Sequence, residues 1–231
     1  MIKFIFKWLL RLFIGAVVLI VIFFLSLNSI LRVVIEHNIR AQTGMDAEIG
    51  RFKLGLLEPT IEIQNFKIYN PSNFGGTLFL DIPEIHVEYD RAALAKSELH
   101  VTLLRFNLGE LDIVKNEQGQ TNIFALGVTV PTKEDLKKNH AVDELKKRTG
   151  MSFEGIDAMT VSVGTFKYVD LKDARNNRTQ VVGLENVPLR NVKTEADLLG
   201  LIVLVDLHSD NFFDMFMPSN SGMDTLKQMG F

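Results

Sequence analysis

The chain has 231 residues, a formal net charge of -3, and no cysteine. That length suits one domain of moderate size with appendages. The missing thiols exclude a disulfide framework, a thiolate metal site and a cysteine nucleophile, and the near-neutral balance, with no basic stripe among aromatics, argues against a nucleic-acid partner.

Residues 1–7 carry Lys3 and Lys7 and precede an apolar run from Trp8 to Leu27 whose only charge is Arg11. At 1.5 Å per residue the run spans roughly 30 Å, the hydrocarbon thickness of a bilayer. The basic residues lie ahead of it, so the N-terminus is expected in the cytoplasm and the rest of the chain beyond the membrane. The run is long and "FFLSLNSILR" offers no small-x-small cleavage site, which favours an uncleaved signal anchor over residues 8–28. Residues 29–44 keep helical spacing at Ile30, Val34 and Ile39, and Gly44 ends them, predicting a juxtamembrane helix.

The pattern then turns to period two over residues 45–126. Ile61 and Ile63 alternate, the register slips, and Phe66 and Ile68 continue the face; Ile85, Val87 and Tyr89 stand opposite Glu84, His86 and Glu88. Leu99, Val101 and Leu103 share a side, and a second slip at Leu103–Leu104 brings in Phe106 and Leu108. Such slips read as bulges or sharp twists rather than breaks. "VKNEQGQTNI" reads as a hairpin turn. Residues 127–150 predict a charged helical arm opened by Pro131 and Thr132, and residues 151–193 return to strands. Thr160–Asp170 repeats Thr60–Asn70, and a helix ending in Thr-Gly-Met precedes each copy, which points to duplication.

Residues 194–217 begin with Thr194, suited to capping, and with Glu195 and Asp197 at the positive end of a helix. Leu198 to Val205 is apolar on all sides and partly β-branched, a composition that also suits a buried strand. The helical reading ends before Pro218 and leaves 218–231 as a tail. Together these segments predict a mainly β, α+β chain: a transmembrane helix, a curved antiparallel sheet of about nine strands with one apolar face, a charged arm and a C-terminal helix.

Signatures of chemistry are missing. Ser72 is not in Gly-x-Ser-x-Gly, Gly75-Gly76 lacks the Lys-Ser/Thr of a phosphate loop, and the five histidines are scattered. Glu84-x-His86-x-Glu88 offers three ligand types on one strand face, but spaced about 6.6 Å apart, too far for one zinc, so a solvated polar face is expected. Asn177-Arg178-Thr179 is a glycosylation sequon, relevant only in a eukaryotic secretory pathway. Lys146-Lys147-Arg148 reads as a solvated helix end that also suits anionic headgroups. No catalytic residue, metal or cofactor is expected, and the chain does not read as an enzyme.

The order of features resembles the N-terminal region of the AsmA-like family. Thr43-Gly44, the turn Asn70-Pro71 with Phe74, the strand Ile85-Val87-Asp90, and Leu111-Ile113 with Gly119 and Asn122 carry the likeness, over about residues 1–125. The resemblance implies a bacterial inner-membrane protein, single-pass, with its C-terminal domain in the periplasm. It also implies a relation to bridge-like lipid transfer proteins, whose β-groove passes phospholipid for outer-membrane maintenance. Most relatives are several times longer. The groove would be lined by Ile61, Ile63, Phe66, Ile68, Ile85, Val87, Tyr89, Leu99, Val101, Leu103, Val161, Val163 and Phe166. The expected partners are the bilayer, phospholipid, and copies of itself or other envelope proteins. A non-enzymatic scaffold subunit of an envelope complex is the alternative.

Overall fold

The structure, a computed structural model, describes residues 26–55, 58–125 and 140–209. The expected cytoplasmic segment, most of the anchor, Pro131 and Thr132 of the arm, and the tail lie outside the described residues. No helix among the described residues is long and apolar enough to cross a membrane.

Residues 26–43 form a helix, α1. Six strands follow: β1 (Asp46–Leu54), β2 (Thr60–Tyr69), β3 (Leu78–Tyr89), β4 (Glu98–Lys115), β5 (Ser152–Asp170) and β6 (Arg178–Val192). Short helices α2 (Arg91–Leu94) and α3 (Asn122–Ala125) flank β4; α4 (His140–Thr149) precedes β5, and α5 (Leu199–His208) follows β6. The strands form one sheet in sequence order. Neighbours are antiparallel except β4 and β5, which run parallel. The sheet is therefore mixed rather than antiparallel. The segment between β4 and β5 contains α4 and works as a crossover, carrying the chain back to the end where β4 began.

One end of the sheet holds Leu54, Thr60, Tyr89, Glu98, Ser152 and Val192 and is called the α2 end. The other holds Asp46, Tyr69, Lys115, Asp170 and Arg178 and is called the asparagine end.

Six strands stand where the sequence suggested about nine, because the register slips are bends within long strands. Gly50 lies opposite Asn65, Asn65 opposite Pro83, and Gly109 opposite Gly164, with pairing intact on both sides of each. Asn65 takes a left-handed backbone at φ 52. A Cβ on Gly109 would sit 3.1 Å from the Pro83 ring, and one on Gly164 would collide with the Gly109 carbonyl oxygen. The strands thus crease together along one line, and inward residues step by three across it: Ile49 to Phe52, Ile63 to Phe66, Ile82 to Ile85, Val163 to Phe166. In β6 the line continues as true register breaks beside Gly183 and Asn186.

The two Thr-Gly-Met segments build the same helix cap. Thr43 Oγ1 donates to the Ile39 carbonyl at 2.7 Å and accepts from Met45 N at 3.1 Å; Thr149 repeats this with Leu145 and Met151 at 2.7 and 3.2 Å. Gly44 and Gly150 supply the positive φ, 69 and 73 degrees, that closes each cap. The strands that follow are not equivalent: β1 intervenes before β2 in the first copy, whereas β5 follows directly in the second.

At the C-terminus the helical alternative holds for residues 195–208, as a 3-10 turn leading into α5. The cap is made by Asp197, not Thr194. Its Oδ2 accepts from the backbone of Lys193 and Thr194 and from the Thr194 hydroxyl. These bonds, the Lys193 one first, hold its carboxyl below the usual range.

Candidate lipid-contacting face

Cross-strand register collects one side chain type per face. Phe52, Ile63, Ile85 and Phe106 stand in one row; Ile68, Leu80, Leu111 and Phe166 form another. The opposite face holds rows such as Lys53, Glu62, His86 and Arg105, and Arg51, Gln64, Glu84 and Asn107. The alternation read in the sequence produces one apolar face running from β1 to β6.

That face is closed at one side only. Ile113, Val161, Val163, Phe166, Tyr168, Val182 and Leu184 form the buried core, and Leu201 and Val205 of α5 pack against it. Val161, Val163 and Phe166 therefore lie on the expected face but beneath a helix. Over β2 to β4 the face is half-buried: Ile61, Ile63, Phe66, Ile68, Ile85 and Val87 keep partial exposure, as do Leu104, Phe106, Leu108 and Leu111. These last four were not among the expected lining residues, although the reading of a slip at Leu103–Leu104 pointed to Phe106 and Leu108.

Leu103 does not belong with the others. It pairs with Glu88 and Ala158 on the polar side, while Leu104 pairs with Val87. The irregularity lies between Leu103 and Val101, where Tyr89 stands opposite Val101, rather than at Leu103–Leu104. Leu99 pairs with Phe153 beside a further bulge, so it sits at the rim of the α2 end.

The residues of the Asn-Pro turn meet at the asparagine end. Pro71 closes β2, its carbonyl accepts from Phe74 N and Gly76 N, and Phe74 is 2% exposed. Asn70 Nδ2 donates to the Leu78 carbonyl, and Asn70 Oδ1 accepts from Asn122 Nδ2 at 2.9 Å. Asn122 also accepts from Val114 N and donates to the Asp112 carbonyl. β3 no longer pairs with β4 there, so the Asn122 amide stands in for a missing strand. The "VKNEQGQTNI" turn presents it: Asn116 N donates to the Gln120 carbonyl, and Lys115 bridges to Thr121. Asn70 and Asn122 are a structural lock between two turns, not a ligand site.

Next to this lock Asp112 is buried with its Oδ1 unpaired. Burial, and then the charge of Glu110, push its carboxyl up to about 7. Lys167 pairs with Glu110 at 2.7 Å. Glu84, His86 and Glu88 lie on the polar face, where His86 Nε2 meets Glu88 and Arg105 meets Glu84. Among the described residues no group of three or more potential ligands is placed to hold a metal.

At the α2 end an open cleft of about 450 Å³ is lined by residues including Asp90, Lys96, Glu98, His100, Glu154, Asp157 and Lys193. His100 Nε2 meets Asp157 at 2.9 Å, and that hydrogen bond raises the imidazole above its ordinary value. His100 and Asp157 lie beyond the Val101–Leu103 irregularity, at the α2 end of β4 and β5.

Comparison with protein-family models, with curated proteins and with solved structures returned no match.

Proposed function

We propose that this chain is a membrane-anchored, AsmA-like lipid-handling module of the bacterial inner membrane, its sheet in the periplasm, with the open part of the apolar face binding phospholipid acyl chains. The observation that carries this reading is the half-buried stretch over β2 to β4. Large aliphatic and aromatic side chains line it in continuous rows; α5 lies over the β5–β6 side, and at the asparagine end Ile123 of α3 packs on the core beside β4. A contiguous, partly exposed apolar surface of this kind suits a binding site. Each acyl methylene moved onto such a face gains about 0.8 kcal/mol, so a 16-carbon chain gains on the order of 10 kcal/mol before ordering costs. The AsmA-like resemblance and the apolar run Trp8–Leu27 support a location at a membrane. Transport across the periplasm would need partners, since six strands at about 4.8 Å make a sheet only ~29 Å wide.

A scaffold role is the second reading, favoured by the core under α5, where half of the same face is ordinary packing. Native mass spectrometry of the full chain in mild detergent separates the two. Lipid handling predicts co-purifying phospholipid that survives detergent exchange; a rigorously lipid-free protein leaves the scaffold role standing.

A further inference from the structure

α1 lies antiparallel to β1 and is held there by three side chains spaced four apart. Leu54 N donates to Asn28 Oδ1 at 3.0 Å, Arg32 Nη1 donates to the Gly50 carbonyl at 3.4 Å, and Ile49 N donates to Glu36 Oε1 at 2.7 Å. The strand direction is therefore tied to the helix direction, and Asn28 stands level with the α2 end of the sheet. Asn28 also follows directly on the apolar run that ends at Leu27. Between Ala16 and Thr43 the sequence holds no proline or glycine, the usual causes of a kink.

The outer face of α1 agrees with a helix leaving a bilayer at this level. Ile30, Val33 and Val34 are exposed, with Val33 at 57%. Val34 stands about 10 Å along the axis from Leu27, and beyond it the exposed positions become His37, Asn38 and Arg40. At the tip of the α2 end, Leu94 is exposed between Arg91 and Lys96. The end of α4, carrying Lys146, joins the same tip, where Ser152 N donates to the Ser97 carbonyl at 2.9 Å. Of the carboxylates nearby, Asp90 caps α2 through Ala92 N and Ala93 N, Asp157 is paired with His100, Glu154 accepts from the Ser152 hydroxyl, and Glu98 lines the cleft.

We infer that the α2 end of the sheet is its membrane-facing end, seated on the phospholipid headgroup layer through Arg91, Leu94, Lys96 and the outer face of α1. The strands then rise away from the bilayer, the polar cleft lies at headgroup level, and the apolar face begins where acyl chains leave the membrane. The inference rests on residues 8–28 being an anchor, but not on lipid occupying the face.

The chain lacks cysteine, so Leu94→Cys and Lys96→Cys report one end and Ser72→Cys and Lys172→Cys the other. Each variant of the full chain, labelled with an environment-sensitive fluorophore, goes into phosphatidylcholine vesicles containing a headgroup-spin-labelled lipid. Quenching at positions 94 and 96 several-fold stronger than at 72 and 172 is the expected result. Equal quenching at all four, stronger quenching at 72 and 172, or none at any position (a domain held off the surface by a protein partner or by nothing) overturns the inference. A chain that does not co-float with the vesicles overturns the anchor and the inference together. Lipid extraction from the same samples reads the acyl-binding proposal separately.

Discussion

Asp112 sits in β4 with its neighbours on the same face, Glu110 and Lys167, already paired to each other. The folded protein keeps this carboxyl protonated up to about 7, whereas an ordinary aspartate titrates near 3.8. The native state thus binds the extra proton between those limits, and stability falls as pH rises through that window. Asp112→Asn should leave the melting temperature near unchanged at pH 4 and raise it at pH 8, flattening the profile. Equal shifts at both pH values would show that burial of the charge is not the cause. Asn122 carries the opposite kind of role. Its amide serves Val114 N, the Asp112 carbonyl and Asn70 Oδ1, all buried. Asn122→Ala strands them and should cost about 3 kcal/mol in urea denaturation. The sequence singled out both Asn70 and Asn122, but as turn residues far apart; that they meet depends on β3 ending short of β4, which no local pattern records.

At the scale of elements, the creased strands explain why period two slipped without ending. Gly109 and Gly164 approach backbone to backbone, so a Cβ at Gly164 has no room. Gly164→Ala should force β4 and β5 apart and destabilise the fold by about 2 kcal/mol or more, measured by thermal or chemical unfolding; a neutral substitution would mean the crease is soft. The slip between Ile63 and Phe66 was legible as a bend, since Asn65 stands at it, whereas the one read at Leu103–Leu104 has no such residue and lies elsewhere in β4. The alignment of the bends across strands was not legible, because register is a tertiary property. The same limit hid the parallel β4–β5 pair and moved Leu103 to the polar side. α1 was legible as a helix, while its service to the sheet edge was not. β1 would otherwise present free amides at Ile49 and Leu54, and edge strands left so invite pairing with other chains. The double variant Asn28→Ala, Glu36→Ala should lose about 2 kcal/mol and speed hydrogen exchange at those two amides ahead of the neighbouring strands. Unchanged exchange would show that α1 merely lies alongside.

For the whole molecule, the division of the apolar face decides between a core and a binding surface. α5 packs on the β5–β6 side through Leu201 and Val205, and α1 takes the β1 edge, so the face between them is bounded on both flanks. Neither edge offers a clean template for a further strand: β1 is occupied by α1, and β6 is broken by Gly183, Asn186 and Asn191 at positive φ and carries Pro188. Assembly into a longer sheet by strand addition is thus disfavoured, and partners would have to meet the open face or the strand ends. The decisive measurement is photo-crosslinking in cells with a benzophenone amino acid placed at Ile63 or Ile85 on the apolar face and at Gln64 or Glu84 on the polar one. The account predicts phospholipid adducts from Ile63 and Ile85 and none from Gln64 and Glu84. Adducts to protein alone at Ile63 and Ile85, or lipid adducts equally from both faces, would contradict it.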